Sequence, residues 1–325
     1  MRRYMPSVKY KAMQKIILGL LVVGVLVAAF LITRPLIQIV EENLSTAEQY
    51  RILERLKAPS EEAPLKAQGA LSVETTLPIT MLMGIPFIRV YIQGRPYLLQ
   101  LDFGSRYTFL SPDVALQLQL PIISEGFREK GPGGEFSYYF ARVKEIQLGA
   151  AKVLHDRVAI EMRRIYAKVF GLLKVFDYKG LVGAQTLKHF LLTLNLAKKR
   201  LILRPKGSPT PLATSVPFTS VGDLIMLSGF LDGQGPFNLL LDPGAPVLVL
   251  APEVAEQLKL GGKRSSVKLE LQQLPELTQP VYVAEDLQGA YTDGVRLDGL
   301  LGRSLLQLWQ VTVDFERQMV YFESP

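Results

Sequence analysis

An internal duplication is the feature of this sequence that most constrains its fold. Residues 99–120 (LQLDFGSRYTFLSPDVALQLQL) align without a gap with residues 239–260 (LLLDPGAPVLVLAPEVAEQLKL), and 11 of the 22 positions are identical. The identical positions include an aspartate in each copy and the glycine two residues after it: Asp102, Asp242, Gly104 and Gly244. Because a repeated unit predicts an architecture that is built twice, we expect two similar halves, each with one of these aspartates.

A second pair of matching segments follows the first. Residues 179–203 align with residues 298–322 at an offset of 119, and each segment opens with Gly-apolar-apolar-Gly. The motif ends at Gly183 in the first copy and at Gly302 in the second. From aspartate to this glycine is 81 residues in the first copy and 60 in the second, so the first copy carries 21 more. The two copies have therefore diverged in length while keeping the same landmarks.

Local sequence patterns predict that both copies are mainly β. Apolar runs flank the turn sequences Gln93-Gly94-Arg95-Pro96 and Asp232-Gly233-Gln234-Gly235, which predicts a hairpin near the start of each copy. Residues 111–117 and 251–257 are predicted to be short helices, because each has a proline in its first turn with an acidic residue beside it. The segment 206–211 (KGSPTP) is the predicted joint between the copies.

The N-terminal region predicts a membrane anchor. Residues 16–33 form an uncharged apolar run that approaches the length of a membrane-spanning helix. Five positive charges and no acidic residue precede it, so the positive-inside rule places residues 1–15 in the cytoplasm and the body outside, in the periplasm or the extracellular space. A cleaved signal peptide is the competing interpretation. The apolar run continues past Ala28-Ala29 and no A-x-A site is present, which favours an uncleaved anchor.

A stalk is predicted between the anchor and the body, over residues 34–69. Apolar residues recur at helical spacing from Leu36 to Lys57, which predicts a juxtamembrane helix that offers a seam for dimerisation. The segment 58–69, with Pro59 and Pro64 among charged and small residues, is interpreted as a linker.

Composition excludes several classes of function. The sequence has no cysteine, which excludes thiol nucleophiles, disulfides and cysteine-based metal sites, and only two histidines, which excludes a multi-histidine metal centre. The formal net charge is +7, but five of the cations precede residue 16, and the remaining 32 basic and 30 acidic residues leave only +2. We therefore expect no nucleic-acid binding and no metal site built on cysteine or on several histidines.

The order of these landmarks is similar to the repeat unit of the retropepsin and pepsin aspartic proteases: an apolar strand, Asp-x-Gly-Ser/Ala, a second apolar strand, then Gly-apolar-apolar-Gly. The resemblance covers residues 75–325. It implies a bilobal, mainly β fold with pseudo-twofold symmetry, with an N-terminal lobe over residues 70–206 and a C-terminal lobe over residues 207–325. It also implies a monomeric ectodomain, because both half-sites are present in one chain.

In that family each lobe supplies one aspartate to a shared pair, which here implies Asp102 and Asp242. Two carboxylates about 3 Å apart cannot both ionise, so they share a proton and act as acid and base toward a water molecule and a peptide. The resemblance therefore implies that no metal and no cofactor is required. The implied supporting loop residues follow each aspartate or end each Gly-apolar-apolar-Gly motif: Gly104, Ser105, Gly183, Gly244, Ala245 and Gly302. Ser105 is in a position to donate a hydroxyl to Asp102, whereas Ala245 is not.

The resemblance also implies a flap over an extended substrate, for which the glycine-rich stretch Gly131, Gly133 and Gly134 is suited. The sequence departs from the family between each aspartate and glycine, where a hydroxyl residue normally bonds across to the other lobe. Phe103 and Pro243 cannot make that bond. Three interpretations therefore stay open: a membrane-tethered aspartic endopeptidase that hydrolyses peptides or proteins, an inactive protease-like module that binds peptides or organises a partner, and a purely structural β protein.

Overall fold

The fold is described by a computed structural model over residues 37–56, 66–131, 134–169, 173–261 and 266–325. The predicted cytoplasmic segment (residues 1–15) and the predicted membrane helix (residues 16–33) lie outside these ranges. Among the helices within them, none has the length and apolar character needed to cross a membrane.

Strands dominate the described ranges, so the predicted mainly β class is confirmed. In chain order the strands are β1 (Ile37–Asn43), β2 (Gln68–Ala70), β3 (Thr75–Leu82), β4 (Ile85–Ile92), β5 (Arg95–Leu101), β6 (Phe109–Leu110), β7 (Ile122–Gly131), β8 (Gly134–Leu148), β9 (Ala151–Glu161), β10 (Arg163–Val169), β11 (Leu173–Asp177), β12 (Gly180–Val182), β13 (Leu191–Asn195), β14 (Arg200–Arg204), β15 (Thr214–Val221), β16 (Leu224–Leu231), β17 (Gln234–Leu241), β18 (Leu248–Leu250), β19 (Ser266–Glu270), β20 (Leu277–Val283), β21 (Tyr291–Thr292), β22 (Val295–Arg296), β23 (Gly299–Leu301), β24 (Gln310–Asp314) and β25 (Met319–Glu323).

The helices of the described ranges are short. They are α1 (Thr46–Leu56), α2 (Pro112–Leu118), α3 (Ala184–Leu187), α4 (Pro252–Gln257) and α5 (Arg303–Leu306), with one 3-10 turn at Glu285–Leu287. The helices α2 and α4 are the two that the proline-containing segments predict. Each begins at its proline, and the Ser111 side chain caps α2 by accepting a hydrogen bond from the N–H of Val114.

The predicted juxtamembrane helix is correct for only part of its length. Residues 46–56 form α1, whose start is fixed by a capping box in which the side chains of Ser45 and Glu48 each satisfy the other residue's backbone N–H. Residues 37–43 instead form the strand β1, because β-branched residues such as Ile37 and Ile39 favour extended backbone over helix. The end of the predicted linker also differs, since residues 68–70 pair with β9 as the strand β2.

The described chain divides into two compact units. One consists of residues 43–163 and 179–325 and contains nearly all of both sequence copies. The described strands of the other are β1, β10 and β11, which form a three-stranded sheet in which β10 and β11 run antiparallel.

The strands of the two copies pair in the same pattern. The strand β12 runs parallel to β5 and antiparallel to β6, and β23 is related in the same way to β17 and β18. Both predicted hairpin turns are present, between β4 and β5 and between β16 and β17. Their central residues have positive φ, 49° and 79° at Gln93 and Gly94, and 49° and 71° at Asp232 and Gly233, as two-residue hairpin turns of type I′ require.

A six-stranded antiparallel sheet joins the two copies in the order β3-β14-β13-β24-β25-β15, three strands from each. At its centre Thr193 of β13 lies opposite Thr312 of β24, and their hydroxyl oxygens are 2.8 Å apart. These two threonines are equivalent positions of the duplication, at the offset of 119. Equivalent residues that face each other in this way lie on an approximate twofold axis between the copies.

Candidate active site

The two aspartates occupy equivalent places at the ends of equivalent strands. Asp102 directly follows β5 and Asp242 directly follows β17. The backbone N–H of Asp102 donates to the carbonyl of Val182 (3.2 Å), and that of Asp242 donates to the carbonyl of Leu301 (3.0 Å). The Gly-apolar-apolar-Gly strands β12 and β23 therefore lie beside the aspartate loops, as the sequence resemblance implies.

The carboxyl groups of Asp102 and Asp242 lie close together, and each shifts the pKa of the other. Each also accepts a hydrogen bond from the N–H of its own loop glycine: Gly104 donates to Asp102 (2.9 Å) and Gly244 donates to Asp242 (2.7 Å). The Asp242 side chain is buried, and Asp102 keeps part of its surface exposed. The structure thus brings together the two residues that the duplication singled out.

The loop glycines are required by close packing at this junction. A Cβ atom on Gly104 would lie 2.7 Å from Cγ of Asp242 and 3.0 Å from each of its carboxylate oxygens. A Cβ atom on Gly244 would lie 2.9 Å from an oxygen of Asp242 and 3.5 Å from an oxygen of Asp102. These distances are at or below carbon contact distance, so glycine is the residue that lets the two loops meet around the carboxyl groups.

The downstream glycines meet backbone instead of carboxylates. A Cβ atom on Gly183 would overlap the carbonyl oxygen of Tyr107, and one on Gly302 would overlap the carbonyl oxygen of Val247. Tyr107 and Val247 are themselves equivalent positions of the duplication. Both Gly-apolar-apolar-Gly motifs therefore serve the same purpose, which is to let one segment pass directly over the segment that leaves the aspartate.

The environment of the pair raises the pKa of both carboxyl groups. Burial, followed by the negative charge of Asp242 and the hydrogen bond with it, raises the pKa of Asp102 well above its ordinary value. Burial also raises the pKa of Asp242, but hydrogen bonds from Gly244, Asp102 and Ala245 and the positive charge of Arg303 oppose this rise. The pair therefore retains a proton in a range of pH where a solvated aspartate has lost it.

Two residues that the sequence did not single out make the pair asymmetric. The side-chain amide of Gln100 donates to the Oδ2 atom of Asp102 (3.2 Å), and the equivalent residue in the second copy is Leu240. Arg303 is buried and its Nη1 atom donates to the carbonyls of Pro243 (3.0 Å) and Gly244 (2.5 Å). Its equivalent in the first copy is Ala184. The sequence feature that could have identified both residues is a difference between the aligned copies, in which one copy has a polar residue where the other has an apolar one.

Ser105 makes a different contact from the one expected. Its hydroxyl donates to the carbonyl of Tyr107 (3.0 Å) and not to Asp102, because it closes the turn that follows the aspartate. The backbone N–H groups of Ser105 and Ala245 make the contacts to Asp102 and Asp242. The two positions thus contribute equally in spite of their different side chains.

Other contacts hold the loops in place of the family's hydroxyl pair. The Phe103 side chain is 1% exposed and packs in the main core, and Pro243 is also buried. The first loop is tied to α3 by Thr108, whose hydroxyl accepts from the N–H of Gly183 (3.1 Å) and lies 2.6 Å from the hydroxyl of Thr186. The first loop is thus held by packing and threonine hydroxyls, and the second by Arg303.

The predicted flap falls partly within the described residues. The strands β7 and β8 form an antiparallel hairpin in which Gly131 pairs with Gly134, and Gly133 at the tip lies outside the described residues. Aromatic rings from β8 pack against Phe109, seven residues after Asp102, with ring centroids 6.1 Å away for Phe136 and 5.4 Å away for Tyr138. The arm of the hairpin is thus anchored close to the first aspartate loop. A role in substrate binding stays a prediction.

Comparison with known proteins agrees with this geometry for part of the chain. Residues 88–165 match the family model described as aspartyl protease. This segment of 78 residues (165 − 88 + 1) is about a quarter of the chain, and it includes Asp102 but not Asp242. No protein with a curated description matches the chain. The match supports a protease-type enzyme, and hence a peptide or protein substrate, at this coarse level.

Proposed function

We propose that this protein is an aspartic endopeptidase in which Asp102 and Asp242 form the catalytic pair. One observation carries the proposal: equivalent residues of the two copies bring their carboxyl groups to one junction, where a Cβ atom on Gly244 would lie 2.9 Å from an oxygen of Asp242 and 3.5 Å from an oxygen of Asp102. Two adjacent carboxyl groups destabilise a fold when both are ionised, so one of them must keep its proton. A purely structural role gives no reason to place two acids in contact at this cost. Perturbed pairs of this kind are typical of acid and base catalysis.

The asymmetry of the pair suggests which group performs which step. Burial and the negative charge of Asp242 raise the pKa of Asp102, whereas the positive charge of Arg303 and the N–H groups of its own loop favour the ionised form of Asp242, so we assign the shared proton to Asp102. Ionised Asp242 takes a proton from water, the resulting oxygen nucleophile attacks the peptide carbonyl carbon, and Asp102 gives its proton to the carbonyl oxygen. Asp242 then protonates the amide nitrogen, the C–N bond breaks, and the hydroxyl proton of the intermediate returns to Asp102.

A bilobal, pepsin-like arrangement is part of the proposal. The matching strand pairings of the two copies and the facing threonines of the six-stranded sheet support a pseudo-twofold relation within one chain. Membrane tethering through residues 16–33, with the N-terminus in the cytoplasm and the catalytic body in the periplasm or the extracellular space, rests on the sequence pattern alone. We expect a monomeric ectodomain, since no second copy is needed to complete the pair.

The second candidate is a protease-like module that binds peptides without cleaving them. It is favoured by Phe103 and Pro243, which remove the hydroxyl contact between the loops. Against it, the two carboxyl groups still meet around Gly244, and Arg303 and Thr108 supply other anchors for the loops. A module that only binds peptides has no need of that contact.

The test is to incubate the purified full chain with a diverse peptide mixture from acidic to neutral pH and to identify new termini by mass spectrometry. We expect cleavage that rises and falls with pH, because the pair must hold one proton. The matched control is the Asp242→Asn variant, which keeps the shape of the side chain and should produce no new termini. Cleavage that persists in this variant would show that a different site or a contaminant is responsible.

A further inference from the structure

The strand that leads to the first aspartate carries a polar side chain at its open face. Gln100 lies on β5, two residues before Asp102, and keeps part of its surface exposed. Its neighbours Leu99 and Leu101 are fully buried in the main core. Because successive side chains of a strand alternate between its two faces, Gln100 lies on the side of Asp102 and away from the core.

The Gln100 amide holds one particular oxygen of Asp102. Its Nε2 atom donates to Oδ2 of Asp102 (3.2 Å), whereas Oδ1 of Asp102 accepts from the backbone N–H of Gly104 (2.9 Å). One oxygen is thus bonded within the aspartate loop and the other is bonded to the strand before it. Together the two donors fix the rotation of the Asp102 carboxyl group.

The oxygen that Gln100 contacts is the one at the junction between the copies. A Cβ atom on Gly244 would lie 2.9 Å from Oδ1 of Asp242, 3.3 Å from Nε2 of Gln100 and 3.5 Å from Oδ2 of Asp102. The amide and an oxygen of each carboxyl group therefore surround one point in the opposing loop. Gln100 belongs to the junction itself and does not support it from behind.

Packing does not require an amide at this position. Gln100 pairs with Leu181 of β12, and its equivalent in the second copy, Leu240, pairs with Leu300 of β23 in the same parallel arrangement. Leu240 is 4% exposed and packs in an apolar cluster. The same place in the sheet is thus filled by leucine in one copy and by glutamine in the other, so the role of the amide is to be sought at Asp102.

We infer that Gln100 is a positioning residue of the proposed catalytic pair, whose amide orients Asp102 and stabilises the carboxylate that Asp102 becomes when it gives its proton to the substrate. The substrate step rests on the proposed protease function. The contact between the amide and the carboxyl group rests on the structure alone.

The proposed reaction explains why an amide is useful there. When the proton of Asp102 passes to the carbonyl oxygen of the peptide, the negative charge that remains on Asp102 lies within hydrogen-bond distance of the Gln100 N–H. A hydrogen bond to an ionised oxygen is about twice as strong as one to a neutral oxygen. The amide therefore stabilises the state after proton transfer more than the state before it, and only such a difference accelerates a step.

The same contact predicts which limb of the pH profile depends on Gln100. Burial, followed by the negative charge of Asp242, raises the pKa of Asp102, and the amide opposes this rise because it favours the ionised form. The positive charge of Arg303 favours the ionised form of Asp242. Loss of the amide should therefore move the alkaline limb, at which the last proton leaves Asp102, to higher pH. The acid limb, which Asp242 sets, should stay in place.

The first arm of the test measures cleavage of one peptide by the full chain carrying Gln100→Met, which keeps the length of the side chain and loses the amide. We expect kcat to fall about tenfold to a hundredfold with KM within about twofold, because the lost interaction is made as charge develops. The alkaline limb should rise by about one to two pH units. Gln100→Leu, with the residue of the second copy, should behave in the same way.

The matched control is Gln147→Met. Gln147 also donates a side-chain hydrogen bond, to the carbonyl of Gly149, and it lies opposite Tyr91 next to the hairpin turn at the other end of β4. This variant should leave kcat and both limbs unchanged.

The second arm needs no cleavage and follows urea unfolding of the same variants from pH 3 to 9. The folded pKa of Asp102 lies above its unfolded value, so its contribution to stability is complete below the unfolded pKa and is lost as pH rises through the folded pKa. Gln100→Met raises the folded pKa further. Its unfolding free energy should therefore fall more between acidic and alkaline pH than that of the wild type, whereas Gln147→Met should parallel the wild type.

The outcomes separate the inference from the function on which it rests. A fall in kcat with both limbs in place would show that Gln100 only supports the fold, and no change in kcat would show that it has no role; either result overturns the inference. If Gln100→Met does not fold, Gln100→Leu carries both arms. If the wild type cuts no peptide while the unfolding curves respond as expected, the protease function fails and the contact with Asp102 stands. Parallel unfolding curves overturn the contact.

Discussion

Replacing Gly104 with alanine tests how closely the two aspartate loops must meet. The added Cβ atom would lie 2.7 Å from Cγ of Asp242, whereas carbon atoms pack at about 3.5 Å or more. Relief of this overlap needs a movement of about 0.8 Å (3.5 − 2.7), and it must come from the loop or from the Asp242 carboxyl group. Either movement separates the two carboxyl groups or rotates one of them out of the hydrogen bond.

The expected effect on activity is large and the effect on stability is moderate. A displacement of about 1 Å at a reacting group lowers the rate about a hundredfold, so we expect kcat/KM of Gly104→Ala to fall by about two orders of magnitude. Overpacking of one methyl group costs about 1–3 kcal/mol of unfolding free energy. The assay is cleavage of one peptide identified in the digest, together with urea unfolding of the same samples.

The matched control is Gly261→Ala, since a Cβ atom at Gly261 would meet nothing within 4 Å. This variant should retain both activity and stability. Activity of Gly104→Ala within about threefold of the wild type would refute the reasoning, because the two carboxyl groups would then tolerate a separation that proton sharing does not allow.

Three further predictions concern the same pair. Asp102→Asn and Asp242→Asn should each abolish peptide cleavage, and the double variant should lose little more, because the two groups act as one unit; additive losses would contradict a shared proton. Asp102→Asn should raise the melting temperature near neutral pH. The pKa of Asp102 is higher in the folded than in the unfolded protein, so its contribution to stability is complete below the unfolded pKa and is lost as pH rises through the folded pKa. At neutral pH the wild-type pair therefore carries a cost of ionisation that the variant does not. Melting curves from pH 3 to 8 should show this dependence weakened in the variant, and parallel curves would count against the assigned shift. Phe103→Thr should lower the unfolding free energy by about 3 kcal/mol or more, because Phe103 is 1% exposed in the main core; a loss below about 1 kcal/mol by urea unfolding would mean that core packing does not hold this loop.

Features decided by local backbone chemistry were predictable from the sequence. The hairpin turns at Gln93-Gly94 and Asp232-Gly233 need positive φ at both central residues. The dipeptides Gln-Gly and Asp-Gly between apolar runs predict such turns, because glycine adopts positive φ readily. The helix after Ser111 was predictable because its cap and its proline are adjacent in sequence. The duplication places both aspartates in equivalent surroundings, which is why the sequence predicts that they meet.

Features decided by distant parts of the chain were not predictable in the same way. The apolar spacing of residues 36–57 does not distinguish the helix α1 from the strand β1. Residues 37–43 are a strand because they pair with β10, and the spacing of apolar residues carries no information about a partner so far along the chain. The hydroxyl of Ser105 donates to the carbonyl of Tyr107, two residues later in the turn, and the sequence alone does not show that this acceptor is available.

The duplication explains both the symmetry of the backbone and the asymmetry of the chemistry. In a homodimer both halves of a paired site must be identical, so each aspartate would have the same neighbours. Within one chain each copy is free to change: Gln100 faces Asp102 where the second copy has Leu240, and Arg303 supports the loop of Asp242 where the first copy has Ala184. The glycines could not change, because each lets two segments meet at less than the distance a side chain allows. The backbone contacts that the two copies share thus keep the two carboxyl groups together, and the divergent side chains give the proposed catalytic pair two different environments, with Gln100 beside Asp102 and Arg303 at the loop of Asp242.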